Sequence, residues 1–113
     1  MIYEEFKNLK TIEDKANPFC TLYELDDGSR FYLEPAFYTQ LNGFKERHTP
    51  ADFQRIIEAM IETTKRNKHV IFTANFEFPQ TEAEGYIYLE ITDITDQLKI
   101  YVEDKSRGSD YGD

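Results

Sequence analysis

Between Thr49 and Asn67 the apolar residues recur at intervals of three and four. In the segments before and after, they recur at every second position. These two periods bound the fold, because the first is one face of a helix and the second is one face of a strand. One long helix can cover only one face of a sheet. We therefore expect an α+β chain with a mainly antiparallel five- or six-stranded sheet, one long helix packed on one face and a short N-terminal helix. At 113 residues the chain is long enough for one core. Residues 1–104 read as a single domain and residues 105–113, KSRGSDYGD, as a polar disordered tail.

The local signals supply the details. Thr49 is a helix cap, Pro50 stands at the first helical position, and Asp52 is placed for a capping box. Phe53, Ile56, Ile57, Met60, Ile61 and Thr64 form the buried stripe, with Lys65 and Arg66 at the negative end and Asn67 as terminator. Over residues 2–15, Ile2, Phe6 and Leu9 fit a short amphipathic helix that Asn17-Pro18 stops. Asp27-Gly28 signals a two-residue type I′ hairpin turn, which pairs Tyr23 with Tyr32 and Leu22 with Leu33. Cys20, Leu22, Phe31 and Leu33 then face the core, while Thr21, Tyr23, Arg30, Tyr32 and Glu34 face away. Pro35 ends that strand, Ala36–Leu41 fits either a further strand or a helical turn, Asn42-Gly43 reads as a turn, and Lys45–His48 as a loop. Three strands follow. Their inward sets are Val70, Phe72, Ala74, Phe76 and Phe78, then Ile87, Leu89 and Ile91, then Leu98, Ile100 and Val102. A polar loop over Pro79–Gly85 and a turn near Thr95-Asp96-Gln97 separate them.

On this register five tyrosines, Tyr23, Tyr32, Tyr86, Tyr88 and Tyr101, share the sheet face opposite the helix. The chain has eight Tyr and nine Phe but no Trp. A phenylalanine core explains the Phe, whereas each buried tyrosine hydroxyl needs a partner. An exposed aromatic face reads as a contact surface. With Glu77, Glu90 and Glu103 it makes a tyrosine and carboxylate site. The competing explanations are that tyrosine is a good strand former, and that another segment or a second copy covers the face.

The formal charge of −9, from 22 acidic and 13 basic residues, suits a basic protein partner and disfavours direct contact with nucleic-acid phosphates. Spaced carboxylates also allow a DNA-mimic reading. Cys20 is the sole cysteine, which excludes an internal disulfide and disfavours structural zinc. It reads as a core thiol. His48 and His69 stand beside basic residues and read as ordinary surface groups. Asp93 and Asp96 lack the spacing of a calcium loop, and the turn glycines make no phosphate cradle. No catalytic residue, metal or cofactor is expected. The start, MIYEEFKNLK, is not that of a signal peptide, and the apolar runs are too short to span a bilayer, so a cytoplasmic location is expected.

No family resemblance emerges. In kind, the chain is like small phage, mobile-element or immunity proteins that act by binding. The reading is a non-catalytic binding module, an inhibitor or antagonist that occludes a basic, nucleic-acid-processing partner. The alternatives are an OB-like binder of single-stranded nucleic acid, a small enzyme with a helix–sheet pocket, and a homodimer through the tyrosine face.

Overall fold

The computed structural model describes residues 4–99. A 3-10 turn at Glu4–Phe6 leads to strands β1 (Lys10–Ile12), β2 (Thr21–Glu24) and β3 (Arg30–Leu33). Helices α1 (Pro35–Arg47) and α2 (Pro50–Asn67) follow, then β4 (His69–Phe72), β5 (Ile87–Leu89) and α3 (Ile91–Leu98). The five strands lie side by side in chain order. β1, β2 and β3 form an antiparallel meander, while β3, β4 and β5 run parallel. The fold is thus α+β as expected, but the sheet is mixed. The helical pair α1–α2 carries the chain back to the starting end of β3, so β4 must run parallel to it. Among the described residues, β1 and β5 are opposite edges of an open sheet, unlike the closed barrel of an OB-like fold.

All three helices of the described region contribute to one core. Phe37, Leu41 and Phe44 of α1, Phe53, Ile56, Ile57 and Met60 of α2, and Ile91 and Ile94 of α3 pack with Tyr23, Phe31, Leu33, Val70 and Phe72 of the sheet. The α2 stripe is the expected one. Thr49 accepts from the Asp52 amide at 3.1 Å, and Pro50 opens the helix. The cap at the far end is Lys68, at φ 75, rather than Asn67.

Elsewhere the chain departs from local expectation. Residues 2–15 are not a helix over their described part, which is a single 3-10 turn followed by β1. Pairing Thr11 with Tyr23 satisfies the edge of β2, a gain that a short isolated helix cannot match. Pro35–Arg47 is a helix throughout, including the Asn42-Gly43 pair. Phe37, Leu41 and Phe44, spaced four and three apart, are fully buried, and that burial overrides the turn signal. β4 ends at Phe72, so Ala74–Phe78 leave the sheet. Ile91–Leu98 is helix rather than strand, turn and strand. At its start the Asp93 carboxylate accepts from the Glu90 amide at 2.7 Å, and Ile91, Ile94 and Thr95 are its buried side. The expected strand residues Ile100, Tyr101, Val102 and Glu103, and the tail 105–113, lie outside the described residues.

The hairpin slips by one residue, and this matters most. Leu25 donates to the Ser29 carbonyl at 2.8 Å and Gly28 to the Leu25 carbonyl at 2.9 Å. The loop therefore has three residues, Asp26-Asp27-Gly28. Only Gly28 adopts positive φ, at 88°, whereas a type I′ turn needs it at Asp27 too. The Asp27 carboxylate accepts from the Ser29 amide at 2.9 Å and closes the turn. Tyr23 then opposes Phe31, and Leu22 opposes Tyr32. Because side chains alternate along a strand, the slip puts Tyr23 under the helices and Leu22 on the other face.

Candidate functional site

The face away from the helices carries Leu22, Tyr32 and Ile71, with Tyr86 and Tyr88 packed beside them. Three of the expected five tyrosines therefore do share a face. Tyr23 does not. It is fully buried in the helix-side core, stacked on Phe31 at 4.9 Å between ring centroids. Tyr101 and Glu103 lie outside the described residues.

Nor is the tyrosine face open. Residues 13–20 and 73–86 fold over it. The Tyr32 hydroxyl donates to the Asp14 carboxylate. Burial and that bond push the tyrosine's pKa up, and the same bond, aided by Asn17, holds the Asp14 carboxyl below its usual range. The Tyr88 hydroxyl donates to the Thr81 carbonyl at 3.1 Å. Tyr86 is half-buried, its ring 5.2 Å from Tyr32 and 4.8 Å from His69. Glu90 caps α3 and accepts from the Phe76 amide at 3.0 Å. Of the expected contact residues, Glu77 alone is exposed within the described region.

The two covering loops are tied to each other. The Asn17 side-chain amide donates to the Glu82 carbonyl at 3.2 Å and accepts from the Glu82 amide at 3.1 Å, as a neighbouring peptide group in a sheet would. Cys20 Sγ lies 2.8 Å from Thr81 Oγ1. Burial raises the Cys20 pKa, which keeps the thiol protonated and a weak nucleophile. The second loop is also tied to the sheet. Glu34, 1 % exposed at the end of β3, accepts from Thr73 Oγ1 at 2.7 Å, the Gln80 amide at 3.0 Å and the Thr81 amide at 2.8 Å.

These fixed loops display the exposed aromatics. Phe19 is 83 % exposed, Phe78 78 % and Phe76 53 %. Phe19 adjoins Cys20 and Phe78 lies three residues from Thr81, so their Cα atoms stand within about 20 Å of one another. A single interface of ordinary size reaches that far. Five carboxylates, Glu13, Asp14, Glu77, Glu82 and Glu84, share the two loops with one lysine, Lys15. Beside Phe19 a groove of about 580 Å³ is lined by Ile12, Glu13, Asp14, Lys15, Pro18 and Cys20, among others. Strand alternation had assigned Phe76 and Phe78 to the core. The signal against that assignment was proline, since Phe19 follows Pro18 and Phe78 precedes Pro79.

Among the described residues, no group of three or more His, Cys, Asp and Glu side chains converges to hold a metal ion, and no helix is long and apolar enough to cross a membrane. The space between helices and sheet, where an enzyme pocket would lie, is filled by Phe31, Leu33, Phe37, Ile57, Met60 and Phe72. Compared with protein-family models, curated proteins and solved structures, the chain matches none.

Proposed function

We propose that this chain is a non-catalytic docking module that binds a basic protein segment with an apolar centre and acts by covering it. One observation carries the reading: three phenylalanines stand in solvent on loops that buried and part-buried hydrogen bonds tie to the sheet and to each other. Exposed aromatics on mobile loops would lose much binding energy to ordering, and fixed ones do not. The surrounding carboxylates favour a lysine- or arginine-bearing partner and steer its approach. Occlusion of a basic surface, as an inhibitor or antagonist works, follows from this chemistry without any catalytic group. The contact surface is therefore the loop pair rather than the tyrosine face, whose aromatic side these loops cover.

The test places a photo-reactive phenylalanine analogue at position 78, with a control at the exposed Glu58 on α2. A basic protein should be captured through position 78 and not through 58. The combined variant Phe19→Ala, Phe76→Ala, Phe78→Ala should bind that purified protein about thirtyfold more weakly or worse, as loss of aromatic anchors does. Its folding should be unchanged, since exposed positions tolerate substitution. Unaltered binding by this variant would remove the proposal.

A further inference from the structure

We infer that Glu34 is the positioning residue of the docking surface, and that its carboxylate sets the conformation in which the phenylalanine loop is presented. This rests on the docking reading above. Glu34 is a charged-type side chain at the junction of β3 and α1, and it is almost wholly out of solvent. Such burial is costly unless every lone pair is engaged. Its two oxygens accept from one hydroxyl and two backbone amides, all from residues 73–81. These bonds span 39 to 47 positions of sequence.

The surrounding geometry shows what the bonds accomplish. The chain leaves β4 at Thr73 and enters β5 at Ile87, and the segment between makes a parallel connection with no helix or strand of its own. A segment of this length without regular structure is ordinarily mobile. Here both flanks of the Phe76–Phe78 stretch are fixed by one carboxylate. Thr73 lies before the stretch, and Gln80 and Thr81 lie after it. Asn17 and Cys20 then carry the same restraint to the loop of Phe19, through Glu82 and Thr81. Glu34 is buried and its hydrogen bonds go to Thr73, Gln80 and Thr81, not to the phenylalanines, so it acts through the loop.

Glu34→Gln tests this. It keeps the side-chain shape but removes the charge: the Gln carbonyl oxygen takes the place of the oxygen that accepts from both amides, its NH2 turns to the Thr73 hydroxyl, and both loop bonds lose their charge assistance. Amide hydrogen exchange at Gln80 and Thr81 should accelerate about tenfold, the difference between charge-assisted and neutral bonds. Exchange at Leu25 and Arg30, whose amides bond to the Ser29 and Lys68 carbonyls, should not change. Docking is read with a synthetic amphipathic lysine–leucine peptide as probe, and it should weaken about tenfold, through a smaller fraction of competent protein and so a lower apparent association rate. A second variant separates position from charge. Thr81→Cys places a thiol against Cys20, where Sγ and Oγ1 are now 2.8 Å apart. Oxidation of the two thiols by a disulfide such as oxidised glutathione, which is reduced to two equivalents of glutathione as the protein S–S bond forms, ties the loops covalently. In the Glu34→Gln background the oxidised form should recover probe binding and the reduced form should not.

Unchanged exchange at Gln80 and Thr81 in Glu34→Gln would overturn the inference. So would faster exchange with undiminished docking, or failure of the disulfide to restore it; both leave the docking reading intact if the combined variant Phe19→Ala, Phe76→Ala, Phe78→Ala binds the probe more weakly. Probe binding that ignores Phe19→Ala and Phe78→Ala would overturn both the docking reading and the inference.

Discussion

Tyr23 and Tyr32 differ in what surrounds their hydroxyls, and removing each hydroxyl should move stability in opposite directions. Tyr23 is fully buried among Phe6 and Phe31, with ring centroids 5.4 and 4.9 Å away, and its hydroxyl has no hydrogen-bond partner among the described residues. An unsatisfied buried polar group costs about 1–3 kcal/mol. Tyr23→Phe keeps the ring and its stacking and removes that cost, at the loss of one oxygen's dispersion contacts. The net expectation is a gain of roughly 1 kcal/mol. The Tyr32 hydroxyl donates to the Asp14 carboxylate, so Tyr32→Phe loses a charge-assisted bond, and the expectation is a loss of about 1.5–3 kcal/mol. Urea titrations of both variants and the wild type, with a common slope, read the two differences directly. For a domain of this size, 1 kcal/mol also moves the melting temperature by about 4 °C. The two-residue hairpin register would leave both hydroxyls in solvent and both variants near neutral. A Tyr23→Phe variant less stable than the wild type by 1 kcal/mol or more would show that the hydroxyl has a partner, and the slipped register would lose its support.

Three further outcomes follow from the same geometry. Asp14, whose carboxyl is held below its unfolded value, contributes stability that is complete above the unfolded pKa and disappears as pH falls through the folded one. The advantage of the wild type over Asp14→Asn should thus be full at neutral pH and shrink below about pH 4, as acid unfolding curves would show. Ile57→Ala, at a 2 % exposed site under α2, should cost about 2–5 kcal/mol, and an unmoved denaturation midpoint would refute the packing of that helix. Lys68 caps α2 at φ 75 and ψ −41, a positive-φ conformation that costs a side chain with a Cβ more than it costs glycine; Lys68→Gly should therefore gain up to about 1 kcal/mol, less the small contribution of its exposed pair with Asp27 at 3.8 Å, as read by thermal unfolding.

Some of this protein was legible residue by residue. The α2 helix, its Thr49 cap, the Pro50 start and the stripe from Phe53 to Met60 all depend on neighbours within one or two turns, which a sequence displays directly. The same holds for the placement of Tyr32, Tyr86 and Tyr88 on a common face, because period-two alternation needs only a strand and its parity. It also holds for the existence of the hairpin, since Gly28 supplies the positive φ that any such turn requires.

The tertiary structure decided the rest, and each time through contacts distant in sequence. Whether the Asp26-Asp27-Gly28 turn uses two residues or three is a small local difference, yet it settles whether Tyr23 is surface or core. The three-residue turn prevails where Tyr23 completes a cluster with Phe6 and Phe31. The Asn42-Gly43 turn signal yields because Phe37, Leu41 and Phe44 all reach the core only from an unbroken helix. Phe76 and Phe78 fit a strand by alternation, but Glu34 lies across from Gln80 and Thr81 only once β3 and β4 are paired. No local window contains both partners of that contact. Sequence patterning thus specifies which residues can share a face. Which face meets the core, and which side chains are left to meet a partner, is settled by pairings between residues up to 65 positions apart.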